Sequence, residues 1–329
     1  MASDMDNGTR LRANAAKQSK PFDSAVSNPT HSSVPSDATS KEPPRAFSIS
    51  GTRFIDFIEA AHACIRMFKA FLYSLLAVWV AYGSSAMVHR GGNFDNTLII
   101  IGDDFAAGVG DNPNLGNIPG LARFLARELA KESRIKQTWS IFNCGVKGST
   151  SFQWLPSSEQ TASQKHPTHF ERLFEKPKYA RAQVVILLVG FNDSRSAMTT
   201  GVEISPEQTI GNIHSICKAL QDMGKDVYVC PVANTGDSNV SDAVLEQNMR
   251  LNTMILEYTT RGDKEHVFAG PNIDVMNFEY RVDRYYDEDK MHFNAKGYEK
   301  FAKDFVDVIA NRLVKIEFAK FSKVLGLNK

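Results

Sequence analysis

The chain has 329 residues, of which 43% are hydrophobic, so it can bury one core of up to about 250 residues and still have material left over. Its formal net charge is +1 and its lysines and arginines form no run, which excludes electrostatic binding to nucleic acid. We therefore expect one globular domain with no nucleic-acid partner.

From Met1 to about Pro44 the sequence is rich in small and polar residues and has almost no large apolar side chains. Burial cannot compensate for the entropy that such a segment loses on ordering, so we predict a disordered tail over residues 1–50. A transit peptide is the alternative. It is disfavoured by the acidic residues of the segment, which are Asp4, Asp6, Asp23, Asp37 and Glu42.

Residues 51–69 carry apolar side chains at spacings of four and three, which predict an amphipathic helix. These side chains are Phe54, Ile58, Ala61, Ile65 and Phe68. Residues 70–88 then form an uncharged span of about the length that crosses a bilayer, roughly 20 residues, and we predict a transmembrane helix there. A buried core helix is the alternative, because polar residues make the span only moderately hydrophobic. A cleaved signal peptide is disfavoured because the apolar run begins far from Met1.

The charges around this span predict its orientation in the membrane. Arg53, Arg66 and Lys69 precede it and Arg90 follows it, which favours a cytoplasmic N-terminus and a luminal or extracellular domain. The cysteines of the domain weakly disfavour a luminal or extracellular location. Three of them, at positions that look buried, are more typical of free thiols than of a disulfide framework: Cys144, Cys217 and Cys230.

Residues 91–318 alternate between apolar runs and amphipathic segments, and residues 319–329 are left as a C-terminal tail. The predicted strands are Thr97–Ile101, Thr138–Cys144, Val184–Val189, Asp226–Cys230 and Val267–Ala269. The predicted helices are Pro119–Glu132, Pro206–Met223, Asp242–Thr260 and Ala295–Phe318. Strands that alternate with helices of this length predict an α/β fold with a central parallel sheet flanked by helices.

Three polar clusters follow the first three predicted strands, and a fourth precedes the last predicted helix. They are Gly102-Asp103-Asp104, residues 143–150, Gly190-Phe191-Asn192-Asp193 and residues 289–294. In a right-handed parallel arrangement the carboxyl ends of the strands meet at one edge of the sheet, where open α/β sheets bind their ligands. We therefore expect these four clusters to form one site.

Taken in this order, the clusters resemble the SGNH (GDSL-type) hydrolase family of esterases, lipases and carbohydrate deacetylases over roughly Asn96 to Leu313. The resemblance implies a three-layer SGNH or flavodoxin-like fold that hydrolyses an ester, with an acyl lipid or an acetylated sugar as candidate substrate. It implies no metal and no cofactor. The roles that it implies are a nucleophile at residue 104, oxyanion donors at Gly148 and Asn192, an orienting carboxylate at Asp289 and a general base at His292.

One position departs from the family pattern, because Asp104 stands where the family carries its serine nucleophile. The carboxylate could act with His292 or attack by itself, although it would place negative charge where the oxyanion develops. The domain could instead bind an acyl or glycan ligand, or a protein partner, without hydrolysis. A divalent cation held by Asp103, Asp104, Asp289 and His292 is a third possibility. We expect an ester hydrolase with a non-standard site, with an inactive pseudohydrolase as the alternative.

Overall fold

The computed structural model describes residues 60–72, 85–90, 94–113, 117–157, 167–197, 201–233, 240–261, 265–274 and 277–326. The predicted tail over residues 1–50 lies outside these ranges. So does most of the predicted transmembrane span.

Six strands form one sheet in the order β1-β3-β2-β4-β5-β6. They are β1 (Ser85–Val88), β2 (Asp95–Gly102), β3 (Thr138–Asn143), β4 (Val184–Leu188), β5 (Asp226–Val229) and β6 (Val267–Ala269). All neighbouring pairs are parallel except β1 with β3. Strands β2 and β4 lie at the centre and are buried almost throughout, as expected for strands covered on both faces.

The helices that follow the strands account for most of the predicted segments. The described helices are α1 (60–72), α2 (Asp104–Ala107), α3 (Leu121–Lys131), α4 (His169–Phe174), α5 (Pro177–Ala180), α6 (Pro206–Asp222), α7 (Asp242–Thr260) and α8 (Ala295–Val324). Helix α3 packs against α8 and β3, and α6 packs against α7 and β5. The α/β fold with a mostly parallel sheet and flanking helices is therefore confirmed.

The predicted transmembrane helix over residues 70–88 is wrong at its C-terminal end. Residues 85–88 form the edge strand β1, which pairs antiparallel with β3, and Val88 is buried in the sheet. The C-terminal end of the span is therefore part of the sheet. Among the helices of the described residues, none is both long and apolar enough to cross a membrane.

Helix α8 extends beyond the predicted end at Phe318, so part of the predicted tail 319–329 is helical. Glu317 joins this helix to the sheet through hydrogen bonds. Its carboxylate is buried and accepts hydrogen bonds from the Lys136 and Gln137 backbone N–H groups, at 2.8 and 3.0 Å, and from Trp139 Nε1 at 2.8 Å. These bonds satisfy donors at the start of β3 that would otherwise be buried without partners.

Gly102 ends β2 and turns the chain toward the first polar cluster. Its φ angle is +132°, and a Cβ there would lie 1.7 Å from the carbonyl oxygen of Leu188 on β4. The same oxygen accepts a hydrogen bond of 2.8 Å from the Asp103 N–H. Only glycine allows the two strands to approach in this way, so Gly102 sets the positions of Asp103 and Asp104.

We expect Gly102→Ala to destabilise the protein by more than about 4 kcal/mol, because the added methyl group would overlap β4 backbone. The matched control is Gly211→Ala in α6, where a Cβ meets nothing within 4 Å. That change should stabilise the helix by roughly 0.5–1 kcal/mol. Chemical denaturation of both variants checks the prediction, and equal stability of the two would contradict it.

Candidate active site

The Asp103 side chain fixes the turn after β2. Its carboxylate accepts hydrogen bonds from the backbone N–H of Phe105 at 3.1 Å and of Phe191 at 3.0 Å, which ties the first polar cluster to the third. Burial and the neighbouring Asp104 raise the pKa of Asp103 well above its ordinary value. Both of its oxygens face these backbone donors, so Asp103 has a positioning role.

Asp104 follows at the start of α2 and divides its two carboxylate oxygens between two partners. Oδ1 accepts a hydrogen bond of 2.5 Å from the Gly148 backbone N–H. Oδ2 lies 3.4 Å from His292 Nε2. This second contact is an ion pair without a well-formed hydrogen bond, because Nε2 is buried and has no hydrogen-bond partner among the described residues. The Asp104 side chain itself is almost fully buried.

Asp289 orients His292 from the opposite side of the ring. Its Oδ2 lies 2.6 Å from His292 Nδ1, and its Oδ1 accepts the backbone N–H groups of Met291 and His292, at 2.8 and 3.0 Å. The short turn therefore holds the carboxylate against Nδ1 and leaves Nε2 facing Asp104. This is the relation between an orienting carboxylate and a base that hydrolytic triads use.

The loop after β3 brings Gly148 to Asp104. Asn143 supports it, because its side-chain N–H group donates to the carbonyl oxygens of Ala107 and Pro119, each at 3.1 Å, and its Oδ1 accepts the Gly145 N–H at 3.1 Å. A Cβ at Gly145 would lie 2.2 Å from the Ala107 nitrogen, so only glycine lets this loop pass α2.

Asn192 lies beside the same loop, where its side-chain amide donates a hydrogen bond of 3.1 Å to the Ser149 carbonyl oxygen. The Asn192 amide also helps to lower the pKa of Asp104. The five residues singled out from the sequence are therefore brought together. They are Asp104, Gly148, Asn192, Asp289 and His292.

The charges of the site are coupled. Burial raises the pKa of Asp104, but His292, the Gly148 N–H and Asn192 together outweigh burial and hold the pKa below its ordinary value. Burial lowers the pKa of His292, but Asp104 and Asp289 outweigh this and raise it to about 9. Burial also raises the pKa of Asp289, yet bonds with His292 and Met291 bring it down to about 2. At neutral pH the site is thus an imidazolium between two carboxylates.

A further buried carboxylate, Asp193, was not singled out as a functional residue on its own. It accepts the Ser151 N–H at 2.9 Å, the Ser151 hydroxyl, and the Thr209 hydroxyl at 2.7 Å. Asn212 donates to the same Ser151 hydroxyl at 2.8 Å. This network joins the loop after β3 to the loop after β4 and to α6. Its only signal in the sequence was the position of Asp193 directly after Asn192.

The described residues contain no group of three or more His, Cys, Asp and Glu side chains that could hold a metal ion. The described residues therefore give the divalent-cation hypothesis no support. The two oxygens of Asp103, one of the four ligands that it would need, accept the backbone N–H groups of Phe105 and Phe191.

The model of the GDSL-like lipase/acylhydrolase family matches residues 100–300, which is more than half of the chain and includes all five site residues. The protein belongs to this family. A comparison with curated protein sequences gave no match. The predicted family resemblance is therefore confirmed on the family model.

Solved structures of lipases and of an acetylxylan esterase are similar to this GDSL-family chain at low sequence identity. A lipase/acylhydrolase from Enterococcus faecalis is 16% identical, with 66% of this chain and 96% of that chain covered and a TM-score of 0.47. An acetylxylan esterase from Geobacillus stearothermophilus is 13% identical, with 68% and 95% covered and a TM-score of 0.44. A lipase from a goat rumen metagenome is 13% identical, with 65% and 97% covered and a TM-score of 0.47.

The charge coupling in this GDSL-family site predicts how stability depends on pH. The pKa of His292 rises from its ordinary 6.5 to about 9 on folding, so its contribution is complete below pH 6.5 and is lost as the pH rises through about 9. We expect the wild type to lose on the order of 3 kcal/mol of unfolding free energy relative to His292→Gln across this interval. Urea denaturation at a series of pH values measures the loss.

The same series on Asp104→Asn is the control for this prediction. Because Asp104 is one of the two carboxylates that raise the pKa of His292, its neutralisation should shrink the loss and shift it to lower pH. An identical pH dependence in wild type and Asp104→Asn would show that the two side chains are not coupled.

Proposed function

We propose that this protein is a GDSL-family hydrolase in which Asp104 is the nucleophile, His292 is the base that activates water and Asp289 orients His292. The observation that carries the proposal is the division of the Asp104 carboxylate, with Oδ1 on the Gly148 N–H at 2.5 Å and Oδ2 facing His292 Nε2 at 3.4 Å. One oxygen is held by a backbone donor, and the other faces the imidazole to which the proposal assigns the role of base.

The hydrolysis of acyl esters through a serine-type oxyanion is not supported by this geometry. The Gly148 N–H is already engaged by Asp104 Oδ1, so a substrate oxyanion would have to displace a carboxylate oxygen and develop its charge beside it. Attack of Asp104 on an acyl carbon would give a mixed anhydride, and return of the carboxylate competes with loss of the alcohol. Aryl esters lose their alcohol far more readily than alkyl esters, so they are the acyl probes of choice.

An inactive pseudohydrolase that binds an acyl or glycan ligand, or a protein partner, is the second candidate. The observation that favours it is the charge state of the base, because Asp104 and Asp289 raise the pKa of His292 to about 9 and keep it protonated at neutral pH. A protonated imidazole cannot accept a proton from a nucleophile or from water. The two candidates therefore differ in whether anything in a reaction cycle neutralises Asp104.

The test is the cleavage of 4-nitrophenyl acetate and 4-nitrophenyl butyrate by the full-length wild type and the variants Asp104→Asn, Asp104→Ser and His292→Ala. We expect wild-type turnover that falls at least about a hundredfold in Asp104→Asn and in His292→Ala, because each removes a reacting group. The isosteric Asp104→Asn keeps the shape of the site while removing the charge and the nucleophile.

The opposite outcome is equally specific. If the wild type is no faster than His292→Ala while Asp104→Ser gains activity, the oxyanion donors and the His292–Asp289 pair are competent and Asp104 is what prevents hydrolysis. That result would establish the second candidate.

A further inference from the structure

We propose that the substrate is an alkyl compound, attacked by Asp104 at an sp³ carbon whose leaving group departs as a stable anion, with an alkyl halide as the simplest member of the class. The inference rests on the proposed role of Asp104 as the nucleophile and adds the kind of carbon that it attacks. It follows from the leaving ability of a carboxylate, from the direction of the two Asp104 oxygens and from the position of His292.

The chemistry of a carboxylate nucleophile selects the carbon. At the acyl carbon of an ordinary ester, the tetrahedral adduct expels the carboxylate far more readily than the alkoxide, so attack by Asp104 is reversed. At an sp³ carbon there is no such intermediate, since the new C–O bond forms as the bond to the leaving group breaks. The product is an ester of Asp104, which is stable enough to persist until water attacks it.

The positions of the atoms select the leaving group. Oδ2 attacks from the side on which His292 Nε2 lies 3.4 Å away, and in-line displacement puts the leaving group on the far side of the carbon. His292 therefore cannot protonate it, and the group must leave unprotonated, as a halide or a sulfonate does. The Phe105 and Phe191 rings are buried and pack 5.6 and 5.1 Å from the His292 ring, so the surroundings of His292 are apolar.

The first step is a displacement at the alkyl carbon. An electron pair of Oδ2 forms a bond to the alkyl carbon, the bond from carbon to halogen breaks, and halide leaves with its electron pair. The carboxylate becomes a neutral alkyl ester with Oδ1 as its carbonyl oxygen. Because Oδ1 already accepts the Gly148 N–H, this carbonyl oxygen is placed on the donor that stabilises an oxyanion.

In the second step, water attacks Cγ of Asp104 while His292 Nε2 takes one of its protons. The tetrahedral oxyanion develops on Oδ1 against the Gly148 N–H. Its collapse breaks the bond between Cγ and Oδ2, and the alcohol leaves with Oδ2 and a proton from His292. The regenerated carboxyl group contains one oxygen from water and loses its proton. The sum is alkyl halide and water converted to alcohol, halide and a proton.

Alkylation of Asp104 also frees the base at the stage when it is needed. The Asp104 charge is one of the two that raise the pKa of His292, so its conversion to a neutral ester lowers that pKa and favours loss of the proton. Nε2 has no hydrogen-bond partner among the described residues, so no bond within them has to break before it accepts a proton.

The experiment incubates full-length protein with 1-bromobutane in water enriched in ¹⁸O and measures bromide, butanol and the mass of the peptide that contains Asp104. Wild type is compared with Asp104→Asn, His292→Gln and the matched control Asp307→Asn, which removes an exposed carboxylate from α8. We expect wild type and Asp307→Asn to release equal amounts of bromide and butanol and to incorporate ¹⁸O into Asp104. Asp104→Asn should lose at least about a hundredfold in rate.

The His292→Gln variant should release one bromide for each protein molecule, form no butanol and retain a butyl group on Asp104. Its glutamine cannot take the proton from water, so the ester accumulates. This trapped ester and the ¹⁸O label identify Asp104 as the nucleophile independently of rates.

Three other results would overturn parts of the inference. Asp104-dependent cleavage of nitrophenyl esters without bromide release would overturn the alkyl substrate class and leave the proposed function standing. Bromide release without ¹⁸O in Asp104 would mean that Asp104 activates water directly, and the covalent step would be wrong. Inertness toward both compound classes, with activity gained in Asp104→Ser, would overturn the proposed function together with the inference.

Discussion

The contact of one buried carboxylate with a backbone N–H and an imidazole governs the rest of the site. An ionised Asp104 in this position requires compensation for the water that it has lost, and the Gly148 N–H and His292 supply it. The consequence reaches the base, because Asp104 and Asp289 together keep His292 protonated at neutral pH. A serine at residue 104 would carry no charge and would leave His292 with a lower pKa. The replacement therefore changes two catalytic groups at once.

The backbone that holds this contact could be predicted largely from apolar patterning. Helix Asp242–Thr260 and strand Val267–Ala269 begin and end where their patterns predicted. Strand β1 could not be predicted. Its four residues end a longer apolar span, and a short strand in such a span carries no periodicity of its own. The hydrogen bonds between Glu317 and the start of β3 could not be predicted either, because the partners lie about 180 residues apart in the chain.

The sequence predicted which residues meet in the candidate site, but not which of their side chains are charged. The polar clusters at the ends of β2, β3 and β4 indicated which residues would meet, because parallel strands place their carboxyl ends at one edge. The distances that decide the chemistry are those from Asp104 Oδ1 to Gly148 and from Oδ2 to His292, and sequence spacing does not contain them. The burial of an individual polar residue also cannot be predicted from the sequence. Asp103 and Asp193 look like turn residues in the sequence, yet each is buried and joins two loops of the site.

The proposed reaction uses the same groups as serine-type ester hydrolysis. The difference is that the acyl group belongs to Asp104 and not to the substrate. In the serine reaction the substrate brings the carbonyl, whose oxygen the Gly148 and Asn192 positions stabilise while the base activates first the serine and then water. In the proposed reaction the carbonyl belongs to Asp104 itself once the substrate has alkylated it, and its oxygen is already on the Gly148 N–H before the reaction begins. The second half of the two reactions is then the same, the attack of water on an enzyme-bound ester. A carboxylate at residue 104 is therefore compatible with the Gly148 N–H and the His292–Asp289 pair, because the proposed hydrolysis of an Asp104 ester uses both.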